Sequence, residues 1–250
     1  MKTHLYCVLP QDERIELPDG LSGVAGGRVR AIPVDGVVAW VSDVERDVPV
    51  SVDGVRAHDA VVEAALEMGS TPVPARFGQR FADDAACRDA LSSRAESVER
   101  LVTTVQGFVE MTLVLTPSTR RMLRDLQPVL PEMFDLDSSG TGRRYLEALR
   151  AREDATGAVR LALDELAAQL DAATQDWVVR SAAHDQVTRL PLRTISHLIA
   201  RSSVRQYRRA LGAVKADGEF RFLLIGPRAP YSFCSLTGEP VGTHGMKLAD

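Results

Sequence analysis

Short apolar runs alternate with polar turns over the first forty residues, a pattern that is typical of β-strands. Residues 3–9 contain β-branched and aromatic side chains and end at a proline, which predicts a first strand. Residues 28–34 and 37–42 alternate between apolar and polar positions, and Asp35-Gly36 separates the two runs. Because a tight hairpin turn needs positive φ angles, this pair predicts two antiparallel strands.

Helical periodicity follows the hairpin. One apolar stripe with spacings of three and four residues predicts a helix that Gly69 ends, and its members are His58, Val61, Val62, Ala65 and Leu66. A strand-like stretch covers residues 71–77. A second stripe then predicts one helix from about Asp84 to Gln106, so the first half of the chain is expected to mix helices and strands.

The second half begins with a strict period of two, which predicts a strand whose apolar face consists of Val109, Met111, Leu113 and Leu115. Thr116-Pro117 predicts the start of a short helix reaching about Leu126, and residues 128–142 predict a loop. The later patterns predict a helix at 143–173, strands at 177–183 and 192–200, a helix at 203–214 and a strand at 220–225. From residue 108 onward the order is β-α-β-β-α-β.

These patterns predict an α+β protein of two domains. The first is an N-terminal mixed α+β domain over residues 1–106. The second is a C-terminal ferredoxin-like domain over residues 107–235, with a helix-and-loop insertion at 117–142 in its first crossover. Residues 236–250 are expected to form a tail.

Composition narrows the class of protein. The formal net charge of −4 over 250 residues is too small to attract nucleic acid or anionic lipid in general. No run approaches the roughly 18 apolar residues of a membrane span, and the N-terminus lacks the apolar core of a secretion signal. Three widely spaced cysteines indicate neither a disulfide framework nor a zinc site. We therefore expect a cytoplasmic protein with no membrane span.

Motifs for catalysis, metals and cofactors are missing from the sequence. It contains no phosphate-binding glycine loop, no HExxH motif and no complete GxSxG elbow, so no catalytic residue, cofactor or metal ligand is assigned. His58 lies on an apolar stripe and is interpreted as a core or boundary residue. Four arginines around Tyr207 are compatible with a phosphate-contacting face, although a solvated helix face is favoured, and they are Arg201, Arg205, Arg208 and Arg209.

Two segments are harder to explain as generic fold. Pro72 and Pro74 lie in a strand-like run that ends in Arg76-Phe77-Gly78, so this strand is expected at a sheet edge or a bulge. The segment from Gly226 to Phe233 is rich in proline and aromatic residues and follows a strand. Stiff aromatic-proline segments serve equally well as packing devices and as binding surfaces, since little ordering entropy is lost.

On these residues the chain resembles the gas vesicle accessory proteins of the GvpF/GvpL type. That family carries a P-x-R-F-G segment, matched here by Pro74 to Gly78, and a G-P-W-P-P-Y-S-F segment, matched by Gly226 to Phe233. Supporting matches include His58, the stretch with Glu110, and Gly142 to Leu146 at the start of the long helix. Arg228 and Ala229 depart from the pattern, because the family usually has Trp and Pro there.

The resemblance implies a non-enzymatic protein of gas vesicle assembly, associated with gas vesicles in the cytoplasm. Its expected partners are the hydrophobic shell protein and other accessory gas vesicle proteins. The expected contact residues line a cleft where the domains meet, and they are Pro74, Arg76, Phe77, Gly78, Pro227, Arg228, Pro230, Tyr231 and Phe233. The opposing interpretation is that Arg76 pairs internally, for example with Glu110, and that Phe77 and Phe233 belong to the core.

Other classes of function stay open on the sequence alone. The alternative is a small-molecule enzyme of acylphosphatase-like type on the ferredoxin-like fold, for which residues 116–120 would have to bind phosphate after the first strand of that domain. A nucleic-acid-binding module is disfavoured by the acidic balance, and no nucleic-acid partner is expected.

Overall fold

The computed structural model describes residues 1–11, 16–45, 50–121, 142–184, 192–214 and 218–236. Its strands and helices follow in this order: β1 (Lys2–Pro10), β2 (Arg30–Val34), β3 (Val37–Val44), α1 (Val52–Glu67), β4 (Val73–Pro74), β5 (Arg80–Phe81), α2 (Asp84–Ser92), α3 (Ala95–Val105), β6 (Phe108–Pro117), α4 (Gly142–Thr174), β7 (Val178–His184), β8 (Arg193–Ala200), α5 (Val204–Ala213) and β9 (Phe220–Arg228). The predicted α+β class is confirmed.

The chain divides into two compact units. The first contains residues 1–110 and 198–201 and the described residues from 226 onward, and the second contains the described residues of 111–197 and 202–225. Residues 226–235, which the sequence pattern assigned to the second domain, therefore group with the first unit. The physical reason is that Cys234 packs in a core of that unit and Ser232 donates two hydrogen bonds to Glu110.

β1 is the central strand of the first sheet, whose order is β2-β3-β1-β4, with β5 also pairing with β1. The hairpin of β2 and β3 is confirmed, because Val34 pairs with Val37 across Asp35 and Gly36, whose φ angles are 34° and 81°. Between Leu5 and Cys7 the register of β1 against β3 shifts, so that Tyr6 is the extra residue of a β-bulge.

The bulge distributes the side chains of β1 between two cores. Leu5 and Val8 face a core that includes apolar residues of α2 and α3. Tyr6, Cys7 and Leu9 face a second core that includes apolar residues of α1. A regular strand would alternate its side chains strictly, so the extra residue is what places the neighbours Tyr6 and Cys7 on the same side.

Three predicted elements differ from the structure. The single helix from Asp84 to Gln106 is wrong, because it is broken at Ser93 and Arg94, where Arg94 has a φ of −129° and its guanidinium donates to the Leu236 carbonyl. Of the strand-like stretch at 71–77, only Val73–Pro74 forms a strand, β4, which pairs with β1, and the prolines supply no backbone donor that could extend it. The last strand continues beyond the predicted end at residue 225 and reaches Arg228.

The second sheet has the order β7-β8-β6-β9. The four apolar positions predicted for one face of β6 are all buried. On β8, His197 contacts Asp171 of α4 and Tyr207 of α5 through its two ring nitrogens, each at 2.8 Å. This buried imidazole therefore ties both helices to the same strand.

The beginning of the predicted insertion at 117–142 differs from expectation. Thr116 and Pro117 still belong to β6, and helical residues begin at Thr119. The hydroxyl of Ser118, rather than that of Thr116, accepts a hydrogen bond from the backbone N–H of Arg121 at 3.3 Å. The rest of the expected helix and the expected loop, residues 122–141, lie outside the described residues.

A pair of buried imidazoles joins β1 to α1. His58 donates through Nε2 to the Ala75 carbonyl at 3.0 Å, which leaves its Nδ1 as an acceptor for His4 Nε2 at 2.9 Å. Burial, then the neighbouring His58 and Arg80, lowers the pKa of His4 to about 4. Burial also lowers the pKa of His58. Both rings are therefore neutral in the folded protein at pH 7.

The histidine pair should make stability depend on pH. Unfolded histidines titrate near 6.5, so the unfolded chain binds more protons than the folded chain when the pH falls below that value. We expect His4 alone to lower the free energy of unfolding by about 2–3 kcal/mol between pH 7 and pH 4. Urea unfolding followed by circular dichroism at several pH values measures the free energy of unfolding as a function of pH. His4→Gln should flatten the dependence and the control His184→Gln should not; an unchanged slope in His4→Gln contradicts the assignment.

The hydrogen bonds of His197 generate a second prediction. Tyr207→Phe removes the phenol oxygen and leaves His197 Nδ1 buried without that partner, so we expect the free energy of unfolding to fall by about 1–3 kcal/mol. Urea unfolding at pH 7 measures this change. Ser93→Ala removes an exposed hydrogen bond of a helix end and is the control, with an expected loss of about 0.5 kcal/mol or less. Equal stability of the two variants would contradict the prediction.

Candidate functional site

The segment from Pro74 to Gly78 ends in a tight turn that presents one aromatic side chain. Ala75 donates to the Tyr6 carbonyl at 2.8 Å, which attaches the start of the segment to β1. The chain then turns, because Gln79 N donates to the Arg76 carbonyl at 3.2 Å and Gly78 has a φ of +89°. Glycine suits this left-handed position, and Phe77 lies at the tip of the turn.

Phe77 covers the histidine pair and the first turns of α1. Its ring centroid lies 5.7 Å from that of His4 and 5.8 Å from that of His58. A Cβ atom on Gly54 of α1 would lie only 3.1 Å from the Phe77 ring, so glycine allows this close approach. Phe77 is half-buried, with one side on the core and the other toward solvent.

Exposed apolar side chains lie at the start of α1, in the same turns of the helix as Gly54. Ser51 caps the helix by accepting from Gly54 N at 3.1 Å, and the valines on both sides of this cap are exposed. The exposed fractions are 83% for Val50, 67% for Val52 and 42% for Val55. We call these three valines and Phe77 the α1 patch. The patch is apolar, and the exposed arginines Arg56 and Arg76 are its sequence neighbours.

The segment from Gly226 to Phe233 is attached to the next turns of the same helix. Arg228 forms ion pairs with Asp59 and with Glu63, which lie four residues apart on α1. Burial raises the pKa of Glu63, while the guanidinium of Arg228 opposes that rise. Arg228, where the sequence departs from the pattern of the resembling segment, is therefore tied by charge to α1.

The end of this segment faces inward. Glu110 accepts hydrogen bonds from the backbone N–H of Ser232 at 2.8 Å and from its hydroxyl at 2.7 Å. Burial, followed by the neighbouring Asp59 carboxylate, raises the pKa of the Tyr231 phenol. The phenol oxygen is buried and has no hydrogen-bond partner of good geometry in the described part of the chain. Tyr231 therefore acts mainly as apolar packing area against α1 and β1.

The nine residues expected to contact a partner differ in their accessibility. Arg76, Gly78 and Pro227 are exposed; Phe77, Arg228 and Tyr231 are partly buried; and Pro74, Pro230 and Phe233 are buried. Both segments belong to the first unit, and both contact α1. Sequence reasoning missed Val52 and its neighbours, although a valine outside the apolar stripe of a predicted helix is a visible cue.

Residues 116–120 do not form a phosphate cradle in the described structure. Thr116 and Pro117 continue β6, and the backbone N–H of Ser118 donates to the Glu219 carbonyl at 2.8 Å. Among the residues that the structure describes, no group of three or more His, Cys, Asp or Glu side chains could hold a metal ion. None of the described helices is both long and apolar enough to cross a membrane.

Comparison with known proteins places these features in a family. Curated protein sequences include no match to this chain. Two solved structures are similar in fold: the gas vesicle protein GvpF of Microcystis aeruginosa, with a TM-score of 0.69 and 16% identity over 93% of this chain and 98% of that one, and GvpF of Anabaena sp. PCC7120, with a TM-score of 0.70 and 16% identity over 93% and 97%.

A sequence model of the family described as "Gas vesicle synthesis protein GvpL/GvpF" matches residues 2–235, almost the whole chain. The resemblance that the P-x-R-F-G and post-strand segments indicated is confirmed. The family is described by the synthesis of gas vesicles and not by a catalytic activity. The chain therefore belongs to the GvpL/GvpF family of gas vesicle synthesis proteins.

Proposed function

We propose that this chain is a non-enzymatic accessory protein of gas vesicle assembly that binds the hydrophobic shell protein through the α1 patch. The shell protein must present an apolar face to gas, so before assembly that face is an aggregation hazard in water. A surface that covers it for a limited time keeps it competent for assembly. The observation that carries the proposal is the set of exposed valines at the start of α1, where Gly54 also lies against Phe77.

The α1 patch has the properties of a preformed apolar surface. Valine side chains have few rotamers, and Phe77 is held between Gly54 and the histidine pair, so binding would order few side chains. Arg76 is exposed and Arg228 stays partly exposed beside Asp59 and Glu63, and because a guanidinium carries five N–H donors, both can also serve carbonyl or carboxylate groups of a partner. Pro227 and the exposed part of Tyr231 would extend the contact area.

The architecture of the second unit supports a finer assignment of the fold. The order β6-α4-β7-β8-α5-β9, together with the sheet order β7-β8-β6-β9, is the arrangement expected of a ferredoxin-like domain. We assign this domain to the core of the region predicted at 107–235. In this proposal the domain binds other accessory gas vesicle proteins, and the protein acts in the cytoplasm in association with the gas vesicle.

Charge placed in the α1 patch should abolish its effect on the shell protein. In Val52→Glu/Val55→Glu, two exposed side chains become anionic, so the fold should persist while an apolar face is repelled. The measurement is the fraction of co-expressed gas vesicle shell protein that stays in the supernatant after centrifugation. We expect this fraction to fall to the level seen without the accessory protein.

The matched control is Val179→Glu/Leu223→Glu, which adds the same charge at exposed apolar positions of β7 and β9 in the second unit. It should retain the wild-type amount of soluble shell protein. Circular dichroism and the melting temperature establish that both double variants are folded. If the α1 variant keeps the shell protein soluble as well as the control does, the α1 patch is not the binding surface.

A further inference from the structure

Helix α5 has one buried side and one strongly basic side. Tyr207 and Leu211 are 0% and 2% exposed and face the interior of the second unit. On the outer side, Arg205, Arg208 and Arg209 are exposed at spacings of three and four residues, which is one stripe of a helix. We call these three residues the α5 arginine stripe.

The structure separates this stripe from the other features that the sequence placed with it. Tyr207 donates to or accepts from His197 in the interior at 2.8 Å, so it offers no ring on which a base could stack. Arg201 is also occupied, because its guanidinium donates to the carbonyls of Leu66 at 2.8 Å and Ser70 at 2.6 Å in the first unit. The remaining arginines, Arg205, Arg208 and Arg209, are exposed on the outer side of α5.

This charge is not balanced within the helix. α5 contains no acidic residue, and Arg205 and Arg209 form a like-charged pair four residues apart, which destabilises a helix. Arg205 also lies in the first turn, where the helix dipole disfavours a cation. Within the described ranges, neither Arg205 nor Arg209 makes an ion pair or a side-chain hydrogen bond. The placement of Arg205 and Arg209 lowers helix stability without a compensating interaction among the described residues, which is expected of side chains that serve a partner.

We propose that the α5 arginine stripe is a docking surface for an acidic helical segment of a partner protein. Residues four apart on a helix are separated by about 6 Å along the axis, so carboxylates at the same spacing on a second helix can meet Arg205 and Arg209 together. Guanidinium groups bind carboxylates in a bidentate manner. The burial of Tyr207 favours a protein over a nucleic acid, because no aromatic ring is left on this face for a base to stack on. The surface is chemically distinct from the apolar α1 patch.

A designed probe tests this proposal without knowledge of the natural partner. The probe is a fluorescein-labelled, alanine-rich helical peptide of about twenty residues with glutamates four apart, and glutamines replace the glutamates in its matched peptide. Fluorescence anisotropy at low salt measures binding to the full chain. We expect the glutamate peptide to bind and the glutamine peptide not to bind. Added salt should weaken the complex because its charges are exposed.

The variant Arg205→Ala/Arg209→Ala should weaken binding of the glutamate peptide about tenfold or more. Arg56→Ala/Arg100→Ala removes the same charge from exposed helical arginines that already pair with acidic residues of their own helices, and binding should change less than about twofold. Circular dichroism establishes that both variants are folded. Three results would overturn the proposal: no binding of the glutamate peptide, an equal loss in both variants, or duplex DNA binding at least as tightly as the peptide.

Discussion

β1 is buried along both of its faces, and the extra residue at Tyr6 decides which of its side chains reaches which core. Leu5 and Val8 complete the core with α2 and α3, whereas Tyr6, Cys7 and Leu9 complete the core with α1. The positions of three helices thus depend on one strand. Removal of the bulge would turn every later side chain of β1 to the opposite face, where neither core could accommodate it.

α1 is fixed along most of its length and leaves its beginning free for contact. Arg201 donates to carbonyls at its C-terminal end, where the helix dipole favours a cation. The His4–His58 bond holds its middle, and Arg228 pairs with two of its carboxylates. The exposed valines therefore stand on a rigid base. A rigid apolar surface loses little entropy on binding, which suits the proposed contact with the gas vesicle shell protein.

The two units expose surfaces of different chemistry to solvent. The first unit offers the apolar α1 patch, and the second offers the α5 arginine stripe. The buried contact of His197 with Tyr207 sets the rotation of α5 about its axis, so the same side-chain network that packs the helix also directs its arginines outward. The hydrophobic effect is non-directional, so apolar contact adds binding energy without fixing the orientation of a partner. Complementary charges discriminate between partners and fix the register in which they bind.

Local periodicity determined much of this protein from the sequence alone. Asp35-Gly36 specifies the hairpin, the alternation in β6 specifies its buried face, and the P-x-R-F-G segment identifies the family, because each depends on neighbours within a few residues. Tertiary structure decided the rest. At the break, Arg94 bonds to a carbonyl 142 residues away; the bulge at Tyr6 divides β1 between two cores; and Phe233 is buried within the first unit. Such contacts join residues that are distant along the chain, so a pattern of neighbouring residues cannot predict them.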